Sequence, residues 1–365
     1  MGLLQRVARA RLASRVIRQL RSAGVSDVGY DAGTFSVRFT PVGHDGPAIL
    51  RLENLLAGLD GGRRHRRTQI ARFVDGFVRL PELPHTWDEI CPRLRPVLRG
   101  ITPAWDAPDA GAPLRRGALP FLAEFVVVDQ PDTMTYVVEG HLAGWGVTAG
   151  DVFAAARGNL SVTVRQPAAA SPVVLRFVDD GDAYWTSHLL LDGWLAGLSH
   201  QVGGVPVAFA PERGTLLVTA DDTDDLPALF TLAEETYLAS PRAISPMAYV
   251  AGAGGRVVAY PAPSGHPLHR QVQRAERLLA VHEYAHQARL LAGGSVAPAP
   301  LVLLGSADEG WRTRALWQHD SEVLLPTADE VLIGVTPVAW STLLPRVTED
   351  PSLLPPRWHA PAWPD

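Results

Sequence analysis

The sequence predicts an α+β fold of mainly antiparallel sheets with interspersed helices. Short runs of alternating apolar and polar residues recur in hairpin-like pairs, and between them stand segments with apolar residues at helical spacing. No Gly-rich βα crossover accompanies them, so a doubly wound parallel sheet is not expected.

In chain order, residues 3–22 carry apolar positions at helical spacing and end before Gly24. Alternating runs at 34–40 and 48–53 flank a Gly-Asp-Gly-Pro turn and read as strands. A helix over 64–79 gathers Ile70, Phe73, Val74 and Phe77 on one side. Residues 101–117, rich in Pro, Gly, Asp and Ala, read as a loop. Strands follow at 121–128 and 134–138, then a helix over 148–160 that Thr148 is placed to cap. Further strands are expected at 172–178, 205–210 and 214–219, a helix at 225–238, and a strand pair at 246–250 and 255–260. The helix–strand–strand–helix passages on either side of residue 117 suggest a duplicated module, without a sharp repeat. Pro261-Ala-Pro-Ser-Gly265 marks a boundary. Beyond it stand a helix over 269–292, strands at 300–304, 312–318 and 330–335, and a Pro- and Trp-rich tail that Trp358 and Trp363 pin to the body.

A chain of 365 residues exceeds one small core. The composition shifts divide it into a first α+β unit over 1–117, a second over 118–262, and a C-terminal extension over 263–365. The net charge of −5 advertises no sequence-independent phosphate-binding footprint. The arginines of helix 3–22 (Arg6, Arg9, Arg11, Arg15, Arg18 and Arg21) suggest at most a weak surface contact, or simply a solvated face. No run of 18 apolar residues occurs, so no membrane span is expected. The single cysteine, Cys91, forms no internal disulfide and reads as a small buried hydrophobe, and cytoplasm is the expected compartment. All 33 basic residues are arginine, which fits genomic bias or selection against lysine modification.

One string is chemically loaded: His282-Glu283-Tyr284-Ala285-His286, an H-E-x-x-H inside the 269–292 helix. Histidines four apart sit one turn above each other and can share a metal ion, with the glutamate placed as general base toward a bound water. The apolar residues before His282 resemble the zinc helix of gluzincin-type metalloproteases. A third ligand is then needed, and Glu309 lies at about the right sequence distance, although in a loop-like Gly-Ser-Ala-Asp-Glu-Gly. No Gly and third His follow His286 as a metzincin requires. Arg289 falls on the histidine stripe, where a guanidinium opposes a dication, and Gln287 stands where such helices stay apolar. The competing reading is a half-buried helix face with structural histidines.

Other constellations are weaker. Asp179-Asp180-Gly181-Asp182 and Asp221 to Asp225 read as solvated acidic turns rather than cation sites. Trp145, Trp185 and Trp194 read as packing residues rather than a groove.

Dispersed features carry a family likeness over residues from about 1 to 262. They are Ile49-Leu-Arg-Leu-Glu-Asn-Leu55, Asp129, Ala156-Arg-Gly-Asn-Leu160, Asp179-Asp-Gly-Asp182 with Ser187 to Leu190, Gly214 to Val218, and Pro246-Met-Ala-Tyr249. In these the chain resembles the YtpQ-like bacterial proteins (domain of unknown function 1444). The resemblance implies a cytoplasmic, lipid-free globular protein and brings no active-site residues. The H-E-x-x-H helix lies beyond it.

The leading expectation is therefore a non-enzymatic, soluble cytoplasmic protein acting through contact with another protein, without a cofactor. The second is a zinc-dependent hydrolase with His282, His286 and Glu309 as ligands and Glu283 as base.

Overall fold

The computed structural model describes residues 3–25, 27–32, 35–40, 48–52, 55–56, 59, 61–78, 83–102, 111–130, 133–162, 174–178, 184–318 and 321–361. The fold is α+β with mostly antiparallel sheets. The chain gathers into two compact units: Met1–Arg93, Ala107–Ala112 and Val128–Val147 form the first, and Leu94–Asp106, Pro113–Val127 and Thr148–Asp365 the second. The positions 117 and 262, where the sequence suggests boundaries, both fall inside the second unit.

In the first unit, α1 (Leu3–Ser22) is followed by β1 (Val28–Asp31), β2 (Ser36–Phe39) and β3 (Ala48–Arg51), an antiparallel three-stranded sheet. Helix α2 (Arg63–Val78) packs on α1. The apolar stripe of α1 (Leu12, Ala13, Val16, Leu20) and that of α2 (Ile70, Val74, Val78) close over Val37, Phe39 and Leu50. Strand β1 escaped the sequence reading because Val-Gly-Tyr-Asp is largely exposed and lacks alternation.

The chain continues through β4 (Leu94–Gly100), β5 (Arg115–Leu119), β6 (Leu122–Gln130), β7 (Thr133–Tyr136) and α3 (Glu139–Trp145). Strands β4, β6 and β5 are neighbours in that order. Residues 115–117, expected in a loop, belong to β5; Arg-Arg-Gly has no strand-like pattern, and its pairing with Ala123 to Phe125 decides the conformation. Residues 103–110 lie outside the described set. Helix α4 (Ala149–Val162) begins as the sequence predicts: Thr148 Oγ1 accepts the Asp151 N–H at 3.2 Å, and Asp151 accepts the Thr148 N–H at 2.9 Å.

The second unit is completed by β8 (Leu175–Val178), β9 (Pro206–Glu212), β10 (Thr215–Ala220), α5 (Leu226–Ala239), β11 (Ala248–Ala251), β12 (Val257–Ala259) and the long α6 (His269–Leu290). Strands β13 (Ala297–Pro298), β14 (Leu301–Ser306), β15 (Gly310–Trp317), β16 (Val323–Pro326), β17 (Glu330–Ile333), β18 (Thr336–Ala339), β19 (Thr348–Asp350) and β20 (Arg357–Ala360) follow. The sheet β12-β11-β9-β10-β8 is antiparallel throughout and covered on both faces. Val207, Phe209 and Leu217 meet Leu229 and Phe230 of α5. Ala208, Leu216 and Val218 on the other face share a core with Leu189, Leu190 and, from α6, Leu278 and Leu279. Burial on both faces explains why these strands read as near-continuous apolar runs.

Helix α6 serves two cores. Ala275, Leu278 and Leu279 enter the core beneath the five-stranded sheet, while Ala280 and Tyr284 enter a second one built with Ala315, Trp317, Leu325 and Val331. The tail is more regular than its Pro and Trp content suggests. Residues Arg357–Ala360 form β20, and Trp358 packs edge-on against Trp340, with ring centroids 5.1 Å apart. Trp363 lies outside the described residues. Cys91 is half-exposed rather than buried. No described helix is long and apolar enough to cross a membrane.

Candidate functional site

The H-E-x-x-H occupies the last two turns of α6, where the helix lies between its two cores. The side chains turned inward here are Glu283, Tyr284 and Gln287, and His282 is exposed.

Glu283 is 8% exposed and anchors the segment after β4. Its Oε2 accepts the Thr102 N–H at 3.1 Å, and the Thr102 hydroxyl donates to the Glu283 carbonyl at 3.4 Å. A Cβ on Gly100 would collide with the Glu283 carboxyl, which occupies the space beside that glycine. Burial raises the Glu283 carboxyl to about 7, against the smaller opposing effects of the Thr102 bonds and Arg289.

His282 leaves the helix toward α5. Its ring stacks on Tyr237, with centroids 5.2 Å apart and an interplanar angle of 20°, and its Nδ1 pairs with the Tyr237 hydroxyl at 3.1 Å. Partial burial and then the Arg289 guanidinium hold its pKa below the ordinary value. His286 is half-buried. Burial likewise pushes the Tyr237 hydroxyl upward, with Glu283 adding to the effect.

On the far side of α6, polar atoms tie the tail to the helix. Arg357 is 0% exposed, and its guanidinium donates to Gln287 Oε1 at 2.6 Å, Tyr284 O at 3.0 Å, Leu324 O at 2.9 Å and Ala299 O at 3.1 Å. Gln287 completes the link by donating to Pro355 O at 2.7 Å. Tyr284 donates to Pro356 O at 2.9 Å and accepts the Thr327 N–H at 3.2 Å. All of these acceptors of Arg357 are neutral, and burial lowers its pKa to about 10. Gln287, out of place on a zinc helix, is thus the partner of a buried arginine.

Glu309 is exposed at the β14–β15 turn, its N–H bonded to Ser306 Oγ at 3.2 Å. Its neighbours dock on the first turns of α6: Gly310 lies against Arg270, and the Trp311 N–H reaches Gln273 Oε1 at 2.9 Å. Residue 273 precedes His282 by nine positions, or about 13 Å of helix. The structure therefore brings the two histidines onto one helix and leaves Glu309 near its other end. Among the described residues, no three His, Cys, Asp or Glu side chains are grouped to hold a metal ion.

No family model, curated protein or solved structure matches this chain. Its function must be read from its own geometry.

The remaining sequence candidates are placed as follows. Asp221 accepts the Tyr260 hydroxyl at 2.6 Å, and Asp225 stands at the start of α5. Residues 179–182 lie outside the described set. Trp185 and Trp194 flank the buried His188, with ring centroids 5.1 and 5.0 Å from it, and pack on the core as expected. Trp145 lies on α3 of the first unit, against His141.

One feature of the second unit carried no sequence signal. Among the described residues, strand β12 is an edge strand that pairs with β11 and no other, and Val258 on it is 43% exposed. Beside it runs an open groove of about 390 Å³ where Ala118, Leu119 and Pro120 face the 253–259 segment, Arg256 included. The lining joins segments more than 130 residues apart, so no local pattern announces it.

Proposed function

We propose that this chain is a non-enzymatic cytoplasmic protein that works by contact with another protein, received at the β12 edge. The observation that carries the reading is the combination at β12 of an edge strand, an exposed Val258 and an adjoining groove of mixed lining that includes Arg256. An edge strand offers unpaired backbone donors and acceptors to an incoming extended segment, and neighbouring apolar pockets accept its alternate side chains. The bonding of Glu283, Tyr284 and Gln287 supports the non-enzymatic part of the reading, because these residues hold the 100–102 segment and the tail in place.

Affinity capture with wild-type and Val257→Pro bait tests the proposal. The register places the Val258 N–H toward β11 and the Val257 N–H on the open side, so proline at 257 removes an edge donor and leaves the ladder to β11 in place. A partner retained by the wild type and lost by the folded variant is expected. Identical captured sets would overturn the proposal.

A further inference from the structure

The net charge of the chain conceals a division. Residues 1–78 hold 13 arginines and 6 carboxylates, a balance of +7, which leaves −12 for the remainder. The positive charge is concentrated on the two helices that pack together in the first unit. Helix α1 carries six arginines and no carboxylate; α2 carries five arginines, His65 and the single Asp75.

The fold directs these guanidinium groups outward. With Arg6 at zero and 100° per residue, the core residues Leu12, Ala13, Val16 and Leu20 span about 240° to 340°. Arg11, Arg15, Arg18 and Arg21 span about 60° to 180° on the opposite side. All four are exposed, as are Arg6 and, on α2, Arg64, Arg66, Arg67 and Arg72. Arg6, Arg11, Arg15, Arg18 and Arg21 form no ion pair among the described residues. Arg9 differs: it lies over the Phe35 ring, 4.1 Å from the centroid.

We infer that this face binds the phosphate backbone of a nucleic-acid duplex without regard to sequence. Insertion into a membrane surface would require an apolar face free to enter the bilayer, and that of α1 is already buried in the unit's core. Purely electrostatic adsorption to anionic lipid is the outcome that the vesicle assay separates. Among the side chains described on α1, Val7 is the one large apolar residue exposed. A tight protein interface would be centred on aromatic or aliphatic anchors, and a single strand would require aromatic platforms for its bases. Among the described residues the exposed arc of α1 offers no aromatic and only Val7 as an aliphatic. Duplex phosphates require only donors of positive charge at close, regular intervals, and guanidinium groups meet them bidentately. From Arg6 to Arg21 the helix rises about 22 Å and presents five exposed guanidiniums, against roughly one duplex charge per 1.7 Å of axis. The acidic remainder of the chain is screened beyond about 8 Å at physiological salt, so the contact is local and strongly salt-dependent.

The test is fluorescence anisotropy of the full chain with 20-bp DNA duplexes of two unrelated sequences, over a salt series. Helicity is checked by circular dichroism, and phosphatidylserine vesicles are assayed by sedimentation. Equal binding of both duplexes is expected, with a log–log salt slope of about −4 to −5. The triple variant Arg11→Gln, Arg15→Gln, Arg18→Gln should remain folded, lose at least tenfold in affinity and shed about 3 units of slope. No duplex binding at 50 mM salt, an unchanged affinity in the folded triple variant, or binding to vesicles alone would each overturn the inference.

Discussion

Glu283 Oε2 accepts the Thr102 backbone N–H at 3.1 Å, closing a link across 181 residues of sequence. The glutamate that a metallopeptidase would aim at water is here turned into the protein, where it holds the segment after β4. Its pKa of about 7 follows from that burial, and a protonated Glu283 is the form the fold prefers.

Stability should therefore carry a pH dependence that arises from this group. The folded carboxyl titrates at about 7 against an unfolded value of 4.5, so its contribution is complete below 4.5 and is lost as pH rises through 7. Glu283→Gln keeps an acceptor for Thr102 and cannot ionise. Between pH 5 and pH 8 the wild type should lose about 2–3 kcal/mol relative to this variant. Urea denaturation of both proteins at the two pH values measures the difference; parallel profiles would contradict it.

The contact with Gly100 should appear as a coupling. A methyl group there would collide with the Glu283 carboxyl. Gly100→Ala should cost about 1–3 kcal/mol in the wild type. In a Glu283→Ala background the penalty should shrink by at least half, because the opposing carboxyl is gone. A double-mutant cycle of denaturation midpoints reads this coupling, and simple additivity would rule the contact out.

Arg357 is the second test of α6 as a structural element. Arg357→Met fills similar space and removes the guanidinium's bonds to Gln287 Oε1 and to the carbonyls of Tyr284, Ala299 and Leu324, of which Leu324 O keeps the Ala299 N–H. The expected loss is about 1–3 kcal/mol, accompanied by faster amide exchange in β20 and β16. Unchanged exchange in those strands would show that the tail is held by other means.

Much of the architecture was legible in local pattern. The limits of α1, α2, α4, α5 and α6 lie within about two residues of those the 3.6-residue periodicity gives, since each has a core-facing stripe and a recognisable start or stop. The elements that escaped depend on partners distant in sequence. Strand β5 is Arg-Arg-Gly-Ala-Leu and becomes a strand by pairing with β6. Strand β20 lies in a Pro-rich tail and is held by the buried Arg357 and the Trp340 contact. At the candidate site, the sequence showed that His282, Glu283 and His286 share a helix. It could not show that Thr102, Gly100 and Tyr237 are the neighbours of that helix, because nothing local to those residues encodes the meeting.

The central claim is that the H-E-x-x-H of α6 is a structural element, and metal content tests it most directly. Protein purified without chelator should carry no stoichiometric zinc, and the His282→Ala, His286→Ala double variant should match the wild type in metal content and in partner capture. One equivalent of zinc per wild-type chain, absent from the double variant, would contradict the account.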